Sequence, residues 1–211
     1  IERQRGISVA TSVMGFNYKD YKVNILDTPG HQDFAEDTYR TLTAVDSVII
    51  VIDHAKGVEQ QTRRLMEVCR MRHTPVIVFI NKLDREGLDP FDLLDEVERE
   101  LGVVTTPMVW PIGMGDRFKG VYNIFDHELN LFTPNKQHVV EDLHHIESLD
   151  SPDLVKHIGA AAAERLAEEV EMVEGVYPTF DHDAYLAGEQ APVFFGSALN
   201  TFGVRELLDT F

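Results

Sequence analysis

Three short polar strings carry the chemistry of this 211-residue chain: Asp27-Thr28-Pro29-Gly30-His31, Asn81-Lys82-Leu83-Asp84 and Gly196-Ser197-Ala198-Leu199. Each follows an apolar run (Val23–Leu26, Val76–Ile80 and Val193–Phe195) of the kind that forms a buried parallel strand. Ligands of open α/β sheets bind beyond the carboxyl ends of the strands, so the three strings are expected to meet at one pocket. After a strand, the Asp84 carboxylate is suited to accept from the ring N–H and the exocyclic amine of guanine. Adenine offers neither in that geometry and would leave a buried carboxylate unpaired, which is how large discrimination arises. Asn81 is suited to bond the imidazole edge and tie neighbouring loops, and the Lys82 stem to lie along the base face. Ala198 is small enough for its backbone N–H to approach the base carbonyl.

The first string suits phosphate and metal. Asp27 at a strand end is placed to hold Mg2+ through a water, and Ser8, in Arg5-Gly6-Ile7-Ser8, offers a hydroxyl to the same ion. Gly30 presents a backbone N–H to a γ-phosphate with no side chain in the way, and a loop anchored there senses whether that phosphate is present. His31, next to it, is placed to orient an attacking water. No Gly-x-x-x-x-Gly-Lys-Ser/Thr string occurs. Gly115 and Gly120 have the separation, but Val121-Tyr122 follows, so that stretch is expected to be a turn.

The elements needed to position these strings follow from the pattern. Met14–Asp20 and Tyr21–Asp27 read as a hairpin, about 32–44 and 58–71 as helices, and Val48–Asp53 as a further buried strand. Asp89, Pro90 and Gly102 punctuate a helix whose buried face is Phe91, Leu94, Val97 and Leu101. Alternating strands and helices imply an α/β, doubly wound, mostly parallel sheet of the phosphate-loop type, without its first strand and phosphate loop in this span. From Gly113 the rhythm changes: 119–132 is strand-like, and one long helix is expected from about 153 to 174. Residues 1–113 and 191–211 are therefore assigned to a nucleotide-binding domain, and 114–190 to an inserted α+β subdomain with its own small core.

Bulk properties narrow the partners. The net charge is −17; residues 1–80 hold ten basic and ten acidic residues, whereas 141–211 hold three and fifteen. That acidity opposes a nucleic-acid backbone and argues against DNA. Arg63, Arg64, Arg70 and Arg72 are expected to form a solvated helix face. The longest aliphatic or aromatic runs are far below the roughly 20 residues of a membrane span. A single cysteine, Cys69, on an apolar stripe fits a core residue in a reducing, cytoplasmic setting. The chain starts at Ile1 and stops inside a helical pattern, so it is expected to be a piece cut at both ends, with the phosphate loop upstream.

Gln4-Arg5-Gly6-Ile7-Ser8, Asp27 to His31, Glu36 to Asp46, Asn81 to Arg85, Trp110-Pro111-Ile112-Gly113 and Gly196 to Leu199 together resemble the translational GTPases. Within them the wording is similar to the class II peptide chain release factors of bacteria (release factor three). Elongation factor G typically has Asn-Lys-Met-Asp and Arg-Gly-Ile-Thr where this chain has Leu83 and Ser8. The resemblance implies a ribosome-dependent GTPase that removes class I release factors after peptide release, uses GTP/GDP and Mg2+, and has ribosomal stalk proteins as a further candidate partner. It also implies Asp27, Thr28, Pro29, Gly30, His31, Asn81, Lys82, Leu83 and Asp84 as nucleotide-binding positions, with Ser197, Ala198 and Leu199 as the base-side loop. His31 carries the catalytic role, and Ser8 and Asp27 the metal.

Three alternatives remain at this level. One is an elongation-factor-G-like translocase or a ribosome-protection GTPase. Another is a docking module without turnover. The third is a histidine–carboxylate metal hydrolase, suggested by nine histidines and His31-Gln32-Asp33, although no His-Glu-x-x-His is present.

Overall fold

The computed structural model describes residues 12–28, 35–133 and 142–210. Its centre is a four-stranded, wholly parallel sheet of β3 (Val48–Asp53), β4 (Val76–Asn81), β10 (Gln190–Phe195) and β5 (Val104–Pro107), in the order β3-β4-β10-β5. β4 and β10 are buried along almost their whole length, which explains their uninterrupted apolar runs. β3 is the outermost described strand of this sheet and alternates: Ile50 and Ile52 are buried, whereas Ile49 and Val51 are 38% and 57% exposed.

The crossover helices are α2 (Gln60–Arg72) and α3 (Pro90–Leu101). α3 starts where the sequence predicts. The Asp89 carboxylate accepts from the Phe91 N–H at 2.9 Å, Pro90 occupies the first turn, and Gly102 closes the helix in the left-handed region at φ 63°. Leu93, Leu94, Val97 and Leu101 are all at most 1% exposed, each contributing about 1.5–3 kcal/mol of burial. Two of the four arginines of the α2 face are engaged with α3: Arg63 pairs with Glu100 at 2.6 Å, and Arg70 donates to the Leu101 carbonyl. Cys69 is buried in the core, where desolvation pushes its thiol pKa up.

A second sheet of four antiparallel strands, β6 (Val109–Ile112), β7 (Gly120–Asn123), β8 (Glu128–Leu131) and β9 (Leu143–His145), follows directly on the first. It begins at Val109, inside the stretch assigned from sequence to the nucleotide domain. A separate small core was expected for this region, but the buried residues of both sheets form one continuous cluster. Trp110 joins them: it is fully buried, stacks near Phe91 and Phe195, and donates from Nε1 to Glu169 at 2.7 Å. Burial pushes the Glu169 carboxyl above its usual range despite that bond.

The single helix expected over 153–174 is two: α4 (Pro152–Ile158) and α5 (Ala160–Val176). Gly159, at φ 83° and ψ 158°, breaks the ladder between them, a conformation that favours glycine. A short helix α6 (His182–Leu186) leads into β10. The hairpin of β1 (Ser12–Tyr18) and β2 (Tyr21–Asp27) is antiparallel and largely exposed, so Val23–Leu26 is not the buried parallel strand its apolar run suggested. It reaches the rest of the molecule through α7 (Val204–Thr210): Tyr18 Oη donates to Asp209 at 2.8 Å and Lys19 pairs with the same carboxylate at 2.6 Å. α1 (Ala35–Thr41) precedes β3. Among the described residues no helix is long and apolar enough to cross a membrane.

Candidate functional site

Parallel pairing brings the carboxyl ends of three strands to one edge. Asp53 lies opposite Asn81, and Phe195 opposite Ile80, so the loops leaving β3, β4 and β10 emerge side by side. Asn81 then ties two of them. Its Oδ1 accepts from the Lys82 N–H at 2.8 Å and from the Ala198 N–H at 2.9 Å. The second and third polar strings therefore form one structure, as the sequence predicts. One detail differs: the Ala198 N–H expected to face a base carbonyl is donated to Asn81, so Ala198 contributes here as the anchor of its loop.

Lys82 sits in the left-handed region at φ 73°, turning the chain sharply after β4. Its Nζ pairs with Asp53 Oδ2 at 2.6 Å, while Asp53 Oδ1 accepts from the Ala55 N–H at 3.0 Å. Burial alone would raise the Asp53 carboxyl pKa, but the Lys82 hydrogen bond and the Ala55 N–H outweigh it and hold it below the usual value. In the sequence Asp53 reads simply as the last residue of a strand. Its role depends on register, which sequence spacing does not display.

Asp84 is half-buried, and no described residue donates to its carboxylate. Leu83, named with it as a nucleotide contact, points the other way. Its side chain is 1% exposed in the core, its N–H donates to the Gly196 carbonyl at 3.1 Å, and its carbonyl accepts from Gly115 at 2.9 Å. An apolar side chain between two polar ones at a strand end turns inward, so the Leu83 side chain packs the loop down against the core. Ser197 also faces inward. It is fully buried, exchanges backbone bonds with Phe202 at 3.0 Å in both directions, and accepts from Asn200 Nδ2 at 2.8 Å, fixing the loop from inside. Leu199 is 82% exposed at the turn's crest.

In the first string, Asp27 ends β2 with an exposed carboxylate and no described partner, and Thr28 is half-buried beside it. Ser8, Pro29, Gly30 and His31 lie outside the described residues, as does His138 of the histidine-rich stretch. In that stretch His144 stacks on His157 with centroids 3.8 Å apart. Among the described residues no group of three or more His, Cys, Asp or Glu is arranged to hold a metal.

Two comparisons bear on this arrangement. The family model of the elongation factor Tu GTP binding domain matches residues 1–211. The chain belongs to that family. The fold is also similar to the crystal structure of ttk003000868 from Thermus thermophilus, with a TM-score of 0.74 and 23% sequence identity over 99% of this chain. The chain spans 32% of the length of that protein. The α/β architecture with its parallel sheet is that of this GTP-binding domain family.

Proposed function

We propose that these residues form the base-recognition and metal-side parts of a GTP site in a ribosome-dependent translation factor, and that Asp84 reads guanine. The observation that carries this reading is the Asn81 carboxamide. It locks the loop of Asp84 to the loop of Ala198, and Asp84, three residues after Asn81, is half-buried with no described partner on its carboxylate. A carboxylate in that position accepts two N–H groups from one face of a purine, and only a 2-amino purine supplies both.

The residues fit the nucleotide and its metal. Asp27 offers an exposed hard oxygen donor of the kind Mg2+ takes beside phosphates, with Ser8 as a second ligand. Mg2+ there neutralises charge developing on the phosphates. His31 orients the attacking water, and Thr28, Pro29 and Gly30 shape the loop that registers the γ-phosphate. β7–β9 and α4–α6 lie within the 114–190 span read as an inserted subdomain, and β6 pairs with them from just before it.

The wording of the motifs supports a class II release factor: GTP hydrolysis on the ribosome, in the cytoplasm, that drives class I release factors off after peptide release, with stalk proteins as a further contact. A translocase or ribosome-protection factor shares the same site, and the motif wording at Ser8 and Leu83 is what favours termination. These 211 residues alone bind nucleotide weakly, since no Gly-x-x-x-x-Gly-Lys-Ser/Thr string is among them.

The test is base preference in the intact protein. Asp84→Asn exchanges an acceptor for a donor and should move diphosphate preference from guanine toward xanthine. Equal GDP and XDP affinities before and after the substitution would remove Asp84 from the base contact. Release of a bound class I factor from terminated ribosomes, dependent on GTP and abolished by His31→Ala with nucleotide binding retained, tests the wider role.

A further inference from the structure

The residue after Asp53 is a histidine with no solvent exposure, and every polar bond it makes is to the loop that carries Asp84. The His54 N–H donates to the Asn81 carbonyl at 3.1 Å, and its carbonyl accepts from the Leu88 N–H at 3.1 Å. Its Nε2 lies 2.7 Å from the Arg85 carbonyl oxygen. A carbonyl only accepts, so Nε2 carries a hydrogen and donates it. Nδ1 is buried with no partner. The ring is therefore held by a single polar bond, and that bond is made to the residue next to Asp84.

Packing fixes the same ring from the other side. A Cβ added to Gly87 would lie 2.4 Å from Cε1, 2.5 Å from Nε2 and 2.6 Å from Nδ1 of His54. Nothing larger than glycine fits at 87 while the ring is in place. His54 thus fills the space beneath residues 85–87 and sets how far that segment stands off the sheet. Asp84 sits between this prop and the Asn81 anchor, and Lys82 links the loop to Asp53.

We propose that His54 is a positioning residue for purine recognition, its ring wedged under Gly87 and donating to the Arg85 carbonyl so that the Asp84 carboxylate is held at the height a 2-amino purine requires. This inference rests on the assignment of Asp84 to the base. A propped carboxylate distinguishes GDP from inosine diphosphate (IDP), which lacks the 2-amino group, whereas a slack loop distinguishes them poorly. A residue important only for stability would lower both affinities together and leave their ratio alone.

The experiment measures GDP and IDP affinities of the intact protein for wild type, His54→Ala, His54→Gln, Gly87→Ala and Asp84→Asn. His54→Ala should narrow the GDP-to-IDP ratio about tenfold, the size of one hydrogen bond to a charged group, chiefly by loss of GDP affinity. His54→Gln, whose amide reaches the same carbonyl, should keep the ratio within about threefold of wild type, as retention of that bond requires. Should His54→Ala fail to fold, Gly87→Ala displaces the loop with the ring still present and should narrow the ratio likewise. An unchanged ratio in whichever of these two variants folds, while Asp84→Asn still shifts preference toward xanthine, overturns the positioning role alone. If Asp84→Asn shifts nothing, the base contact itself is wrong and this inference falls with it.

Discussion

The proposed base side and the proposed phosphate side of the site are built differently. The loops after β4 and β10 leave fully buried strands, share the Asn81 carboxamide, and send Leu83 and Ser197 into the interior. The hairpin that ends at Asp27 is largely exposed, and its described polar attachment is the Asp209 carboxylate near its opposite turn. A base is the same in the di- and triphosphate states, so its reader gains from rigidity. On that reading the segment beside the phosphates must answer to their number, and the exposure of the hairpin suits it to do so.

The largest expected effect probes the core that both sheets share. Trp110→Ala should cost about 3–5 kcal/mol, by loss of packing against Phe91 and Phe195. Because the core is continuous, chemical denaturation should show one transition at a lower midpoint. Two separated transitions would mean that the second sheet unfolds independently of the base-side loops.

Asn81→Ala comes next. It removes the acceptor of the Lys82 and Ala198 N–H groups, about 0.5–1.5 kcal/mol for each bond lost. GDP affinity should fall by tenfold or more, read by calorimetry, with little change in hydrogen exchange along β1 and β2. Loss of protection in the hairpin as well would erase the distinction between the two sides.

The smallest effect concerns the hairpin's attachment. Asp209→Ala should cost about 1 kcal/mol or less, as partly exposed ion pairs do. It should speed amide exchange in β1 and β2 while leaving β4 and β10 protected. The attachment is also acid-sensitive. Burial works to raise the Asp209 carboxyl pKa, but the Lys19 and Tyr18 hydrogen bonds outweigh it and hold it below the usual value. A carboxylate depressed in the folded state stabilises above its unfolded value, about 3.9, and loses that contribution as pH falls through the folded value. Hairpin exchange should therefore rise at acid pH in the wild type, and the Asp209→Ala difference should vanish there.

What was legible in the sequence was what repeats locally. The capped helix at Asp89–Gly102, the buried runs of β4 and β10, and Asn81 as a tie between loops all follow from residue type and spacing. The break at Gly159 was obscured by the alanine run after it, which reads as strong helix on either side of a single glycine. The inward orientation of the Leu83 and Ser197 side chains is not legible in the motif, because adjacency says nothing about which side chains turn inward. Asp53 and His54 were passed over for a related reason: their partners are set by strand register and by a glycine more than thirty residues away. Val23–Leu26 has the composition of a buried strand, and only its antiparallel pairing to an exposed neighbour shows otherwise.

The outward row of Ile49 and Val51 on β3 has a practical consequence. An apolar strand at the margin of a parallel sheet is a template for recruiting another chain. Preparations limited to these 211 residues should turn turbid with rising concentration, and replacing Val51 with lysine should keep them clear without disturbing the buried Ile50 and Ile52. Solubility of the isolated domain should thus respond to two methyl-rich side chains on the outward face of β3.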